Sequence, residues 1–224
     1  MPRLTGLAPD PRRPGHRLLH VDRGRFASLP ESVLLDLPLQ VGAELDAPVL
    51  ARLRELADVE AAVRAALRAL ARRAFARREL RLRLMQRQHP PAAADAALAR
   101  LAAQGLIDDA AFARQFAAAR ARRGRGPARL VADLLAHGVD RRMAEEAIRV
   151  ALAEEGIDPA LVARQVAERR AAQLAGVPPS IRQRRLLAYL KRRGFEGPDI
   201  RQVVEAVCKP IFRPCVPPKS APAS

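Results

Sequence analysis

Phe112-Ala-Arg-Gln-Phe-Ala117 returns fifty residues later as Val162-Ala-Arg-Gln-Val-Ala167. A second echo has three members: Leu84-Met-Gln-Arg-Gln-His89, Leu134-Leu-Ala-His-Gly-Val139 and Leu190-Lys-Arg-Arg-Gly-Phe195. The last two place Gly four residues after Leu and an apolar residue next; the first has Gln88 and His89 there. Each member is followed by small or apolar residues at matched offsets: Ala94, Ala97, Leu98 and Leu101; Ala144, Ala147, Ile148 and Ala151; Ile200, Val203, Val204 and Val207. The spacing i, i+3, i+4, i+7 marks one face of a helix. An internal period near fifty residues with three helical segments per period predicts three repeats, over 58–107, 108–157 and 158–208. A unit that short is small for an independent core, but stacked units share apolar faces. The expected fold is all-α: an elongated array of three tandem three-helix repeats behind a short β-hairpin-like N-terminal extension.

The punctuation fits helices of that length. Gly138 and Gly194 suit the left-handed residue that ends a helix. Asp158-Pro159 reads as an N-cap followed by Pro at the first helical position, and Gly126-Pro127 opens a helix in the same way. Residues 176–179, Gly-Val-Pro-Pro, separate the first and second helices of the third repeat. Asp108-Asp109 stands just ahead of a helix, where capping is a better account than acid–base chemistry. The extension covers 1–57. Residues 1–15, polar with Pro and Gly, read as disordered. His16–Val21 and Arg25–Ser28 read as strands around a turn at Asp22–Gly24. A short helix runs from Pro30 to Leu37, Leu39–Leu45 is a connector, and helix begins near Ala47. The Pro-rich stretch 209–224 reads as a disordered tail.

Composition narrows the function. The 224 residues carry 40 Lys plus Arg against 24 Asp plus Glu, a net charge of +16. Lys occurs only at Lys191, Lys209 and Lys219. A GC-rich genome accounts for Arg in place of Lys, but not for the excess of basic over acidic residues. So large an uncompensated charge points to an anionic partner: nucleic acid first, an acidic protein surface second, a membrane surface third. No run of apolar residues reaches transmembrane length, and the N-terminus has no signal-like apolar core, so a cytoplasmic protein is expected. Cys208 and Cys215 cannot build a disulfide framework or a four-ligand zinc site. Neither a phosphate-binding loop nor a nucleophile–base arrangement occurs. His16, His20, His89 and His137 are scattered, so no metal, no cofactor and no enzymatic activity are expected.

The charge is concentrated. Arg68–Arg87 holds eight Arg and one acid, Glu79. Phe112–Arg129 holds Arg114, Arg120, Arg122, Arg123, Arg125 and Arg129 with no acid; Ser180–Gly194 holds Arg182, Arg184, Arg185, Lys191, Arg192 and Arg193 with none. Solvated helix faces usually mix both signs, so recurring acid-free runs mark a binding face. The guanidinium fork suits phosphate and carboxylate. Phe112, Phe116, Tyr189 and Phe195 fall on or beside apolar stripes and read as core. Backbone contacts, weak sequence specificity and strong salt dependence are therefore expected. A transcriptional regulator of helix-turn-helix type is the competing reading. No helix, however, carries Asn or Gln among Arg at base-reading positions.

Gly105-Leu-Ile-Asp-Asp-Ala-Ala-Phe-Ala-Arg-Gln-Phe116 resembles the signature of the RecX family, G-L-[IL]-D-D-x-x-[FY]-A-x-x-[FY]. The Arg-rich helix after it, the break at Gly124–Gly126 and Leu134-Leu-Ala-His-Gly-Val139 also fit. Leu190-Lys-Arg-Arg-Gly-Phe195 is similar to the family's C-terminal L-x-x-[RK]-G-F. The β-like segment and Val41-Gly-Ala-Glu-Leu45 are similar to the extension of longer members. The resemblance spans about residues 16–207 and departs from the pattern at Gln88-His89-Pro90-Pro91 and in the Pro-rich tail. It implies tandem three-helix repeats that need no cofactor; a repeat array with capped ends need not dimerise, so a monomer is expected. It further implies binding to free RecA and along the RecA–DNA filament, with inhibition of RecA's ATPase, strand exchange and SOS coprotease activities by blocked growth or disassembly. Contact with single- and double-stranded DNA is also implied, in the setting of DNA repair and recombination. The twelve basic residues of the two acid-free runs match the family's basic helices and are the expected RecA and DNA contacts.

Overall fold

The computed structural model of the chain describes residues 1–209. Among them, strands β1 (Leu4–Pro9), β2 (His16–Val21) and β3 (Gly24–Pro30) precede nine helices: α1 (Ala47–Leu70), α2 (Arg77–Gln86), α3 (Pro91–Ala103), α4 (Asp109–Ala121), α5 (Pro127–Ala136), α6 (Arg141–Glu154), α7 (Pro159–Ala172), α8 (Pro179–Arg192) and α9 (Asp199–Cys208). The all-helical repeat reading holds. From residue 210 onward, the expected Pro-rich tail lies outside the described residues.

The extension differs from its expectation. Residues 1–15 are not disordered, because β1 is the third strand of an antiparallel sheet ordered β1-β2-β3. Leu4 pairs with Val21 and Leu7 with Leu19. The other side of β1 is also occupied: Leu4 N donates to Ala43 O at 3.0 Å, and Leu45 N donates to Pro2 O at 2.8 Å. The connector 39–45 thus supplies backbone partners that a reading of local composition does not register. Leu4, Leu19, Leu29, Leu34, Leu45 and Leu53 form a core of buried leucines between the sheet and the start of α1. The expected helix from Pro30 to Leu37 shrinks to one 3-10 turn, Glu31–Val33. Because α1 runs unbroken from Ala47 to Leu70, extension and first repeat share one helix. Asp46 caps it, accepting from Val49 N at 2.9 Å.

In the second helix of each repeat one leucine pair is fully buried: Leu80 and Leu84, Leu130 and Leu134, Leu186 and Leu190. The matched third-helix stripes are buried in repeats one and two. In repeat three Ile200 and Val204 are buried, and Val203 and Val207 pack beside them. Asp108 caps α4, accepting from Ala110 N and Ala111 N at 2.8 and 2.9 Å. Asp109 instead accepts from Arg77 N at 2.7 Å and so caps α2, whose own N-cap, Ala76, has no side-chain acceptor. Asp158 caps α7 ahead of Pro159, as its sequence predicts.

By packing, the chain forms two compact bodies: Met1–Ala113 with Leu135–Asp140, and Arg114–Leu134 with the described residues from Arg141 onward. Each contains one instance of the same contact. In the first, a Cβ on Gly138 would lie 2.5 Å from Arg78 Cβ, and His137 Nδ1 lies 3.0 Å from Glu79 Oε2. In the second, a Cβ on Gly194 would lie 2.2 Å from Arg129 N. The glycine that ends a second helix presses on the start of the preceding repeat's second helix. Gln88 occupies the equivalent position in repeat one, also left-handed at φ 64, and is exposed. Among the described residues no second helix of a preceding repeat packs on it, so a side chain is tolerated there. The departure at Gln88 thereby has a physical reason.

Candidate functional site

Three segments of the second body converge on one open groove of about 750 Å³: the end of α4 with its following loop, α5, and the end of α8. The first two contribute Arg120, Arg123, Arg125 and Arg129; the last contributes Lys191, Arg192 and Arg193; Glu196 is the one acid in the lining. Backbone contacts fix the walls. Gly126 N donates to Arg193 O at 2.8 Å and Ala128 N to Gly194 O at 3.2 Å, so the carbonyls just past the end of α8 satisfy donors at the start of α5. These are groups that a helix end leaves without intrahelical partners. A Cβ on Gly126 would lie 2.4 Å from Gly194 C, which makes Gly126 a close-approach residue as well as a helix opener. The Arg193 guanidinium donates to Arg123 O at 3.1 Å and Gly124 O at 3.2 Å, and lies 5.2 Å from the Tyr189 ring centroid.

The cations differ in what holds them. Arg125 and Arg129 share Asp133, at 2.7 and 3.0 Å. Arg120 lies over the Phe116 ring at 4.9 Å. Arg123, Lys191 and Arg192 are exposed, and none of the three has a carboxylate partner among the described residues. An anion entering the groove would meet those three together with Arg120, and two guanidiniums already oriented by Asp133. Several fixed donors and a surplus of positive charge suit a phosphate-bearing or carboxylate-rich strand.

Seven of the twelve residues singled out in the sequence line this groove. Arg122 instead pairs with Glu155 and lines a neighbouring hollow of about 220 Å³ with Arg169, Arg170 and Tyr189. Arg114 is exposed on α4 and lines neither. Half-buried Arg182 donates to Cys208 O at 3.2 Å, a contact that ties α8 to the end of α9. Arg184 and Arg185 are exposed on α8, seven residues before Lys191 and Arg192. Seven residues are about two helical turns, so they continue the same stripes outside the groove. Sequence reasoning missed Arg169 and Arg170, because Glu168 breaks any acid-free run there. Their adjacency at the end of α7 was the available signal, and Arg170 stands 5.3 Å from the Tyr189 ring.

Phe112 and Phe195 are buried as expected, whereas Phe116 and Tyr189 are half-buried beneath arginines. His16 Nε2 lies 3.7 Å from buried Glu60, which also pairs with Arg100. Among the described residues no group of three or more His, Cys, Asp or Glu could hold a metal ion. No helix among them is long and apolar enough to cross a membrane.

Three domain profiles of one family match the chain: "RecX, first three-helix domain" at residues 62–101, the second at 108–148 and the third at 162–204. The chain is 40% identical to "Regulatory protein RecX" of Halorhodospira halophila over 148 residues, 66% of this chain and 88% of that protein. It is 41% identical to the protein of that name from Xanthomonas oryzae pv. oryzae over 140 residues, 62% and 84% of the two chains. A solved structure described as "Crystal structure of regulatory protein RecX" superposes with a TM-score of 0.71 at 21% identity, covering 92% of this chain and 98% of that one. A second, RecX from Lactobacillus salivarius, gives 0.57 at 20% identity, covering 67% and 96%.

Proposed function

The chain belongs to the RecX family of regulatory proteins, and from that premise we propose that it is a non-enzymatic negative modulator of RecA. In this reading it binds free RecA and the RecA–DNA filament, and lowers ATPase, strand exchange and SOS coprotease activities by blocking filament growth or promoting disassembly. It acts as a cytoplasmic monomer in DNA repair and recombination, and touches single- and double-stranded DNA with little sequence preference.

The observation that carries the proposal is the groove. Seven cations from two repeats face one opening beside a single acid. A filament offers two anionic surfaces, the phosphate backbone and acidic side chains of the recombinase, and guanidiniums serve both. Arg123, Lys191 and Arg192 are the proposed ligand contacts. Arg125, Arg129 and Arg193 have internal partners and shape the groove. Arg114, Arg122, Arg184 and Arg185 extend the cationic surface around it.

The test is inhibition of RecA's ATPase on single-stranded DNA by the triple variant Arg123→Ala/Lys191→Ala/Arg192→Ala. Removing three exposed side chains leaves the fold intact and raises the half-inhibitory concentration at least tenfold. Unchanged inhibition would remove the groove from the mechanism. If the variant lost only its own DNA binding and still inhibited RecA, direct DNA contact would be a separate property.

A further inference from the structure

The first body carries a second cationic hollow, of about 430 Å³, on the extension. Arg12 and Arg13 reach it from the turn between β1 and β2, Arg25 from β3, and Arg64 from α1; Phe26 lines it beside them. The turn is a built structure. Asp10 is buried, and its Oδ2 accepts from Ser28 Oγ at 2.5 Å while its Oδ1 accepts from Arg12 N at 3.0 Å. Asp10 N donates to His16 O at 2.9 Å, and His16 N to Arg13 O at 3.1 Å. The Ser28 hydroxyl and the Arg12 N–H hold the Asp10 carboxyl below its ordinary pKa. It therefore stays an acceptor that ties the turn to β3.

Four guanidiniums here face one space, and among the described residues none of them is in an ion pair. Of the nearby acids, Glu31 pairs with Arg17 and Glu60 with Arg100 and His16; Asp10 attracts Arg25 and Arg13, and Glu60 attracts Arg64, only from beyond ion-pair distance. Half-burial of Arg64, followed by the like charge of Arg13, pushes its pKa below the ordinary arginine value. Four like charges around one space, two of them half-buried and none in an ion pair, are relieved by an external anion. A phosphate offers more free oxygens than a carboxylate, so it accepts from more forks at once. The hollow is several times larger than a phosphate group, and the Phe26 ring gives its wall an aromatic face.

We propose that the hollow formed by Arg12, Arg13, Arg25 and Arg64 binds a backbone phosphate of a nucleic-acid strand. The N-terminal extension is thus a second nucleic-acid contact, and the inference does not rest on the groove of the second body.

The experiment is fluorescence anisotropy of a labelled oligothymidylate with the full chain, titrated with salt. Three proteins are compared: wild type, Arg13→Ala/Arg25→Ala, and the groove variant Arg123→Ala/Lys191→Ala/Arg192→Ala. Circular dichroism melts report folding. Where the double alanine lowers the melting temperature, Arg12→Gln/Arg25→Gln replaces it, since both positions are exposed. Loss of one or two phosphate contacts lowers the slope of log affinity against log salt by about 0.7 for each. We expect that decrease with a roughly tenfold weaker affinity at low salt, scaling as the electrostatic contribution does. Affinity and slope equal to wild type would overturn the inference, and leave the groove standing if the groove variant is weakened. Weakening in the extension variant alone would support it and count against the groove. Poly-glutamate bound more tightly than the oligonucleotide, and lost in the extension variant, would overturn it in favour of an acidic protein partner.

Discussion

Replacing Gly194 by Ala separates two reasons for a glycine at a helix end. Gly194 has φ +84, a region in which an L-residue is less stable by about 1–2 kcal/mol. Its added Cβ would also meet Arg129 N at 2.2 Å and Arg129 Cβ at 2.3 Å. Those atoms belong to the first turn of α5, so α8 must move away rather than a side chain rotate. The movement weakens the Gly126 N–Arg193 O and Ala128 N–Gly194 O hydrogen bonds, each contributing about 1 kcal/mol. Together these predict a loss of about 3–5 kcal/mol for Gly194→Ala. Gly105 supplies the control, with φ +70 and nothing within 4 Å of an added Cβ. Gly105→Ala should lose only about 1–2 kcal/mol. Urea titrations of both variants, read at unchanged m-value, measure the difference. Losses equal to within about 0.5 kcal/mol would refute the close-approach account and leave the dihedral as the whole reason for Gly194.

Gln88→Gly relieves the left-handed strain at φ 64 against the greater freedom of glycine when unfolded, so a gain of about 0.5 kcal/mol is expected by the same titration. Arg100→Ala leaves the buried Glu60 carboxylate with His16 at 3.7 Å and the more distant charge of Arg64. It should destabilise by about 2–3 kcal/mol, below the range for a fully buried pair because Arg100 is partly exposed; a loss under about 0.5 kcal/mol contradicts this. Asp10 and Glu79 have folded pKa values below their ordinary ones. Asp10 is held there by the Ser28 hydroxyl and then by Arg12 N–H. For Glu79 the opposing effect of burial is outweighed by hydrogen bonds from Arg73 and His137. Both therefore stabilise the fold above the ordinary carboxylate pKa, and that contribution is lost as pH falls through the depressed values. In melts across that range, the advantage of wild type over Asp10→Asn and Glu79→Gln should shrink as pH falls; an advantage that grows would contradict the sign.

The repeats were legible because helix periodicity is local. The i, i+3, i+4, i+7 stripes and the caps at Asp108 and Asp158 depend on neighbours within a few residues. Strand β1 was not legible, because its partners are β2 and residues 43–45, and Leu-Thr-Gly-Leu-Ala-Pro has weak alternation of its own. The same limit applied to the site. Acid-free runs identified the groove cations on α4, α5 and α8, but counting along one helix could not reveal that Asp133 holds Arg125 and Arg129, or that Arg182 faces the α9 carboxyl end. Arg12, Arg13, Arg25 and Arg64 belong to three elements far apart in sequence, and only the fold of the extension brings them together.

The central claim is that the protein acts on the recombinase filament rather than on DNA alone. RecA's DNA-dependent ATP hydrolysis on single-stranded DNA, with the protein titrated in, tests it most directly when a mobility shift at the same salt reports coverage of the free DNA. The account predicts that hydrolysis falls at amounts well below those that coat the DNA. Hydrolysis that falls only as the DNA becomes saturated would contradict it, and would make the basic surfaces competitors for phosphate.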